Sequence, residues 1–148
     1  SRLTELLESR PNLMHQFSPD GFHPLGLDSF FGQLQAARAL LEAGAQVNFV
    51  SQNPMQVTPL HSAVAGRHTR LARLLLESGA DVHARQAGGF TPLHSAAQNQ
   101  QEDMLRLLLE FNAEPLARNA KGETPLDLAR QAGNEDLINL LLDGLEED

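Results

Sequence analysis

The chain has 148 residues and no cysteine, and 11 Lys+Arg against 19 Asp+Glu leave a formal charge of −8 at pH 7. Hydrophobic residues make up 41% and charged residues 20%, which excludes wholesale disorder and suits one domain of ordinary size. The absence of cysteine excludes a disulfide framework, a thiol nucleophile and any Cys-ligated zinc or iron–sulfur site.

At the N-terminus, Leu3, Leu6 and Leu7 share one stripe and predict a helix over 1–10, ended by Arg10-Pro11-Asn12. His23-Pro24-Leu25-Gly26 then opens a unit that recurs. Thr58-Pro59-Leu60-His61 follows after 35 residues, and Thr91-Pro92-Leu93-His94 and Thr124-Pro125-Leu126-Asp127 each after a further 33. Thr is an N-cap residue whose hydroxyl accepts from an orphan backbone N–H, and Pro fits the first helical position. First helices are therefore predicted over 59–66, 92–99 and 125–132. Second helices are predicted over 69–78, 102–111 and 135–143, with Leu71, Leu74 and Leu75 on one apolar stripe and Leu105, Leu108 and Leu109 on another. Gly44, Gly79 and Asn112 stand where these helices must end left-handed. None of these helices is long enough to be stable alone in water, so the units must bury one another's faces. The chain closes on Asp143-Gly-Leu-Glu-Glu-Asp148, a solvated acidic tail.

The Thr-Pro-Leu-His openings, Ala63 and Ala96 behind them, and Gly79-Ala80-Asp81-Val82 resemble the ankyrin repeat, over roughly residues 11–145. The resemblance implies an all-α ankyrin-repeat solenoid of stacked antiparallel helix pairs with projecting loops. It also implies a protein-binding role, with no catalysis and no cofactor. A single domain over 1–148 follows: 1–22 as N-cap and first loop, 23–57 as repeat 1 with a long loop, then 58–90, 91–123, and 124–148 as repeat 4, C-cap and acidic tail. Residues 1–10 become the outer helix of a truncated first unit.

In this family, partners are gripped by the loop tips and the exposed side of the first helices. Transferred position by position, that surface carries Phe22, Phe30, Phe31, Met55, Val57 and Phe90, with Arg85, Gln98, Asn99, Arg118 and Lys121 at its polar end. Aromatic and Met residues beside a polar rim have the composition of an interface core. A competing reading folds Phe30 and Phe31 back into the N-terminal cap. Two departures from the pattern fall in one junction. Asp28 occupies the column of Ala63, Ala96 and Ala129, and the loop over 48–57 lacks the glycine that Gly89 and Gly122 supply later. Asp28 is expected to anchor that loop through its backbone N–H groups, or to bond His61.

Bland readings suffice for the remaining motifs. The resemblance makes His61 and His94 structural, bonded to their own Thr and to neighbouring backbone. No His-x-x-x-His pattern points to a metal. His61-Ser62 and His94-Ser95 are adjacent on a helix, about 100° apart, so neither is a nucleophile with its base. Arg38, Arg73 and Arg106 each precede a Glu by four residues and predict surface ion pairs with Glu42, Glu77 and Glu110.

A protein or peptide partner and a monomeric chain are expected; the alternative is a small molecule or nucleic acid in the same groove. One lysine and a net negative charge argue against nucleic acid. No apolar run approaches the ~20 residues of a membrane span, and no secretory leader pattern opens the chain, so a cytoplasmic location is the expectation.

Overall fold

The computed structural model describes Leu25 and residues 33–145. Among these residues there are seven α-helices and no strand: α1 (Leu34–Glu42), α2 (Pro59–Ala65), α3 (Thr69–Glu77), α4 (Pro92–Gln98), α5 (Glu102–Glu110), α6 (Pro125–Ala132) and α7 (Glu135–Leu145). The chain forms two compact units, 1–81 and 82–148. In the first, α3 packs against both α1 and α2. In the second, α4 packs against α5 and α6, and α7 against α5 and α6.

The helices begin as the Thr-Pro signature dictates. Thr58, Thr91 and Thr124 cap α2, α4 and α6 from extended backbone, each hydroxyl accepting from the N–H three residues on. His61, His94 and Asp127 return a bond to the Thr N–H, completing a capping box. With a Pro at the first helical position, four orphan donors shrink to a number these two side chains and water can satisfy.

Helix ends are equally uniform. Ala45, Ala80 and Ala113 donate to the carbonyls of Leu40, Leu75 and Leu108, five residues back, closing α1, α3 and α5 in Schellman motifs. Gly44, Gly79 and Asn112 take the positive φ this needs, as the sequence indicates. The first helices use the same device: His68, Gln101 and Asn134 donate to Ala63, Ala96 and Ala129, through left-handed Arg67, Gln100 and Gly133. Arg67 and Gln100 pay a steric penalty there that Gly133 avoids.

Packing follows the stripes. Leu71 and Leu75 of α3 are buried, as are Leu105 and Leu108 of α5, whereas Leu74 and Leu109 are half-buried. Ala63, Ala96 and Ala129 are fully buried, which explains why this column holds small residues. Asp28, the exception in that column, lies outside the described residues, as do residues 1–24. The predicted surface pair of Arg106 changes partner: its guanidinium reaches back to Glu102 at 3.0 Å and not forward to Glu110. A Glu placed N-terminal to its cation suits the helix dipole better than the reverse order.

Candidate protein-binding surface

Three loops lead into the first helices, and each is closed by one backbone rung. Ser51 donates to Val57 (2.8 Å), Gln86 to Phe90 (2.9 Å) and Asn119 to Glu123 (2.9 Å). Within each rung sits a tight turn, closed from Gln56 to Asn53, from Gly89 to Gln86 and from Gly122 to Asn119. The two extra residues of the first loop therefore lie inside its rung. Gln56 takes the positive φ (52°) that Gly89 (75°) and Gly122 (77°) take in the later loops. The missing glycine is thus replaced by a strained glutamine at the same place.

The side chains that hold these loops differ. In the 119–123 loop, the buried Asn119 carboxamide accepts from the N–H groups of Lys121 and Glu123, both at 2.9 Å, and donates to the Glu123 carboxylate. Arg118 donates to the Gly122 carbonyl at 3.0 Å. Arg85 makes the equivalent bond to Gly89, also 3.0 Å, and a second to the carbonyl of Arg118. Gly88 accepts from Ala120 at 2.9 Å, so the two later loops are joined edge to edge. A Cβ on Gly89 would meet the Ala120 nitrogen at 2.9 Å, so only glycine fits there. In the 51–57 loop, Val50 stands where the others have arginine. Ser51 Oγ accepts from Val57 and donates to Asn53 Oδ1, which also accepts from Met55. The N–H groups of Ser51, Met55, Gln56 and Val57 are all taken up inside the loop, so none of the four is left for the expected anchor, Asp28.

His94 ties the start of α4 to the end of the 119–123 loop. Its Nδ1 faces the Thr91 hydroxyl (2.8 Å) and N–H (3.1 Å), and its Nε2 lies 2.8 Å from the Glu123 carbonyl. Two acceptor contacts at Nδ1 and a carbonyl at Nε2 select the neutral Nε2–H tautomer. Burial pushes the imidazole pKa down; the bond to the Glu123 carbonyl opposes this, and the charge of Arg85 adds to it. The Phe90 ring stacks on it at 5.7 Å. In repeat 4, Asp127 replaces the histidine, and the Thr124 N–H and then its hydroxyl hold its carboxyl below the usual range. Hydrogen bonds from Asn119 and then Gln131 do the same for Glu123.

The candidate contact residues separate on this geometry. Met55 is exposed, at 51%, on the first loop. Gln98, Asn99, Arg85, Arg118 and Lys121 are exposed in the second unit, where the two arginines and Lys121 gather on the joined loops. Phe90 is half-buried and braces His94. Val57 is a correction: at 6% exposure it is core, because its rung with Ser51 turns the side chain inward ahead of α2. Phe22, Phe30 and Phe31 lie outside the described residues. Three exposed large apolar residues were not among the candidates, Val50 (47%), Leu116 (49%) and, on α7, Leu142 (36%). Val50 shows in the sequence as an apolar residue in the column of Arg85 and Arg118; Leu116 shares its column with His83 and carries no comparable signal. No group of three His, Cys, Asp or Glu side chains able to hold a metal occurs among the described residues, and none of the described helices is long and apolar enough to cross a membrane.

The family model for ankyrin repeats (many copies) matches residues 60–109 and again 96–142, together more than half of the chain. The chain belongs to the ankyrin-repeat family. Curated relatives share the repeats and little else. A protein of Rickettsia felis named for its ankyrin repeats is 33% identical over 86 residues, 58% of this chain and 37% of its own length. The serine/threonine-protein kinase VIK of Arabidopsis thaliana is also 33% identical over 86 residues, 58% of this chain but 19% of the kinase. Alpha-latrocrustotoxin-Lt1a of Latrodectus tredecimguttatus is 32% identical over 65 residues, 44% of this chain and 4% of the toxin. The chain thus spans well under half the length of these relatives. Ankyrin repeats generally mediate protein–protein interaction and are generally non-catalytic.

Proposed function

We propose that this ankyrin-repeat chain binds a protein or peptide through its loops and the exposed side of its first helices. The observation that carries the reading is the contrast between a braced frame and exposed side chains. The carbonyls, amides, Asn119 and His94 hold the loops and helix starts, while Met55, Gln98, Asn99 and Lys121 project into solvent from them. A binding surface that is already ordered loses little entropy on association. Phe22, Phe30 and Phe31, outside the described residues, stay in the proposal on their sequence positions alone, and Val57 leaves it. Binding is proposed to take place in the cytoplasm, with a monomeric chain.

Site-specific photo-crosslinking tests the assignment. A photoreactive residue at Gln98 or Asn99 should trap a partner from lysate, and the same group at Arg106 on α5 should not. Trapping from Arg106 alone would place the contact on the second helices and defeat the reading.

A further inference from the structure

The charge in the second unit is segregated. Its second helices, α5 and α7, carry Glu102, Asp103, Glu110, Glu135, Asp136 and Asp143 against Arg106 alone. The loops and first helices of the same unit carry Arg85, Arg118, Lys121 and Arg130 against Glu114, Glu123 and Asp127. All three carboxylates accept hydrogen bonds within the fold, Glu114 from the Leu116 N–H. Asp127 is held in its capping box, and Glu123 is held by Asn119 and Gln131. The cations make no close ion pair: Arg85 and Arg118 donate to carbonyls, neither has a carboxylate within ion-pair distance among the described residues, and Arg118 and Lys121 act on Asp127 and Glu123 only through charge at longer range. The carbonyl bonds run through Nη1 of each guanidinium and fix it on the joined 86–90 and 119–123 loops; both side chains are exposed, and the fork carries further N–H donors. Lys121 is exposed on the same pair of loops, and its own loop contact runs through its backbone N–H.

We infer that this loop pair docks an acidic, extended segment of a partner protein, with Arg85, Arg118 and Lys121 reading its carboxylates. The inference rests on the protein-binding reading above and adds the chemistry of the partner. Arg forks held in place by the backbone suit bidentate carboxylate recognition. The acidic helices of the same unit repel such a segment elsewhere, so the field steers it to the loops. In a chain of net charge −8, three exposed cations collected on one loop pair give a negative partner a place to bind there.

The test uses the full chain and a fluorescein-labelled Glu-Ser repeat peptide, followed by anisotropy at low and high ionic strength. A Lys-Ser peptide and an oligothymidylate serve as competing probes. The Glu-Ser peptide should bind and weaken with salt. Lys121→Glu should weaken it by roughly 3- to 10-fold with unchanged thermal unfolding, and Lys121→Arg should retain it. Equal or tighter binding of the Lys-Ser peptide overturns the inference, and so does indifference to Lys121→Glu. Tighter binding of the oligothymidylate would mark the loops as a nucleic-acid site and overturn it as well. Crosslinks from Gln98 without any Glu-Ser binding would remove the acidic segment and leave the broader protein-binding reading standing.

Discussion

The 51–57 and 119–123 loops perform the same task with different materials. Both close with one backbone rung and one tight turn, and both deliver a Thr to a helix start. The later loop relies on a buried Asn, an Arg fork and a Gly at positive φ. The earlier one relies on a Ser, an Asn within an extended turn and a Gln at positive φ, with two extra residues and an exposed Val and Met. Comparing them separates what the repeat demands from what it tolerates. The rung and the capped helix start occur in both, whereas brace, loop length and turn residue vary.

Core substitutions set the scale of that comparison. Leu75→Ala and Leu108→Ala, both fully buried, should each cost about 2–5 kcal/mol in urea unfolding, because the cores under the two loops are built alike. A large inequality would mean the loops inherit their difference from the helices beneath. The loop frames come next. Asn119→Ala orphans two backbone donors and should cost about 2–3 kcal/mol, against about 1 kcal/mol for Ser51→Ala, which orphans one. Equal costs would break the claim that the later loop is the more tightly held. The turn residues should then move in opposite directions. Gly89→Ala should destabilise by about 1–3 kcal/mol, through positive φ and its approach to Ala120. Gln56→Gly should stabilise by up to about 1 kcal/mol by relieving the same conformation.

Acid should act on the two helix starts of the second unit in different windows. The lowered pKa of His94 means that the unfolded chain takes the proton first. Its contribution is complete above about pH 6.5 and is lost as the pH falls through the lower folded value. The lowered pKa of Asp127 confines its loss to the carboxylate range, below about pH 4. The urea midpoint should therefore fall between pH 7.5 and 5.5 in the native chain, and fall less in His94→Gln. An identical slope in both would show that His94 is not the group titrating. The smallest effect belongs to the surface pair: Arg106→Ala should change stability by less than about 0.5 kcal/mol.

Much of this fold was legible because it is written in residue types with one physical use. Thr-Pro announces a capped helix start, and Gly44, Gly79 and Asn112 announce left-handed ends. Arg67 and Gln100 hid the same geometry, since nothing in an arginine or glutamine advertises positive φ; only register with Gly133 discloses it. The surface was less legible. Val57 read as exposed because it precedes a helix in a polar loop, and the rung that turns it inward depends on how the chain closes. Arg85 and Arg118 read as free contacts, yet their forks also brace carbonyls four and thirty-three residues away, a link that exists only once the loops lie side by side.

The bonds that draw the 86–90 loop and the start of α4 onto the 118–123 loop share one property: His94, Arg85 and Ala120 meet backbone partners, the carbonyls of Glu123, Arg118 and Gly88. A carbonyl is supplied by every amino acid. The seam therefore does not depend on which side chain its neighbour carries at those positions. A unit duplicated or exchanged by recombination arrives with its acceptors already in place, and its outward residues can drift toward a new ligand without unpicking the join.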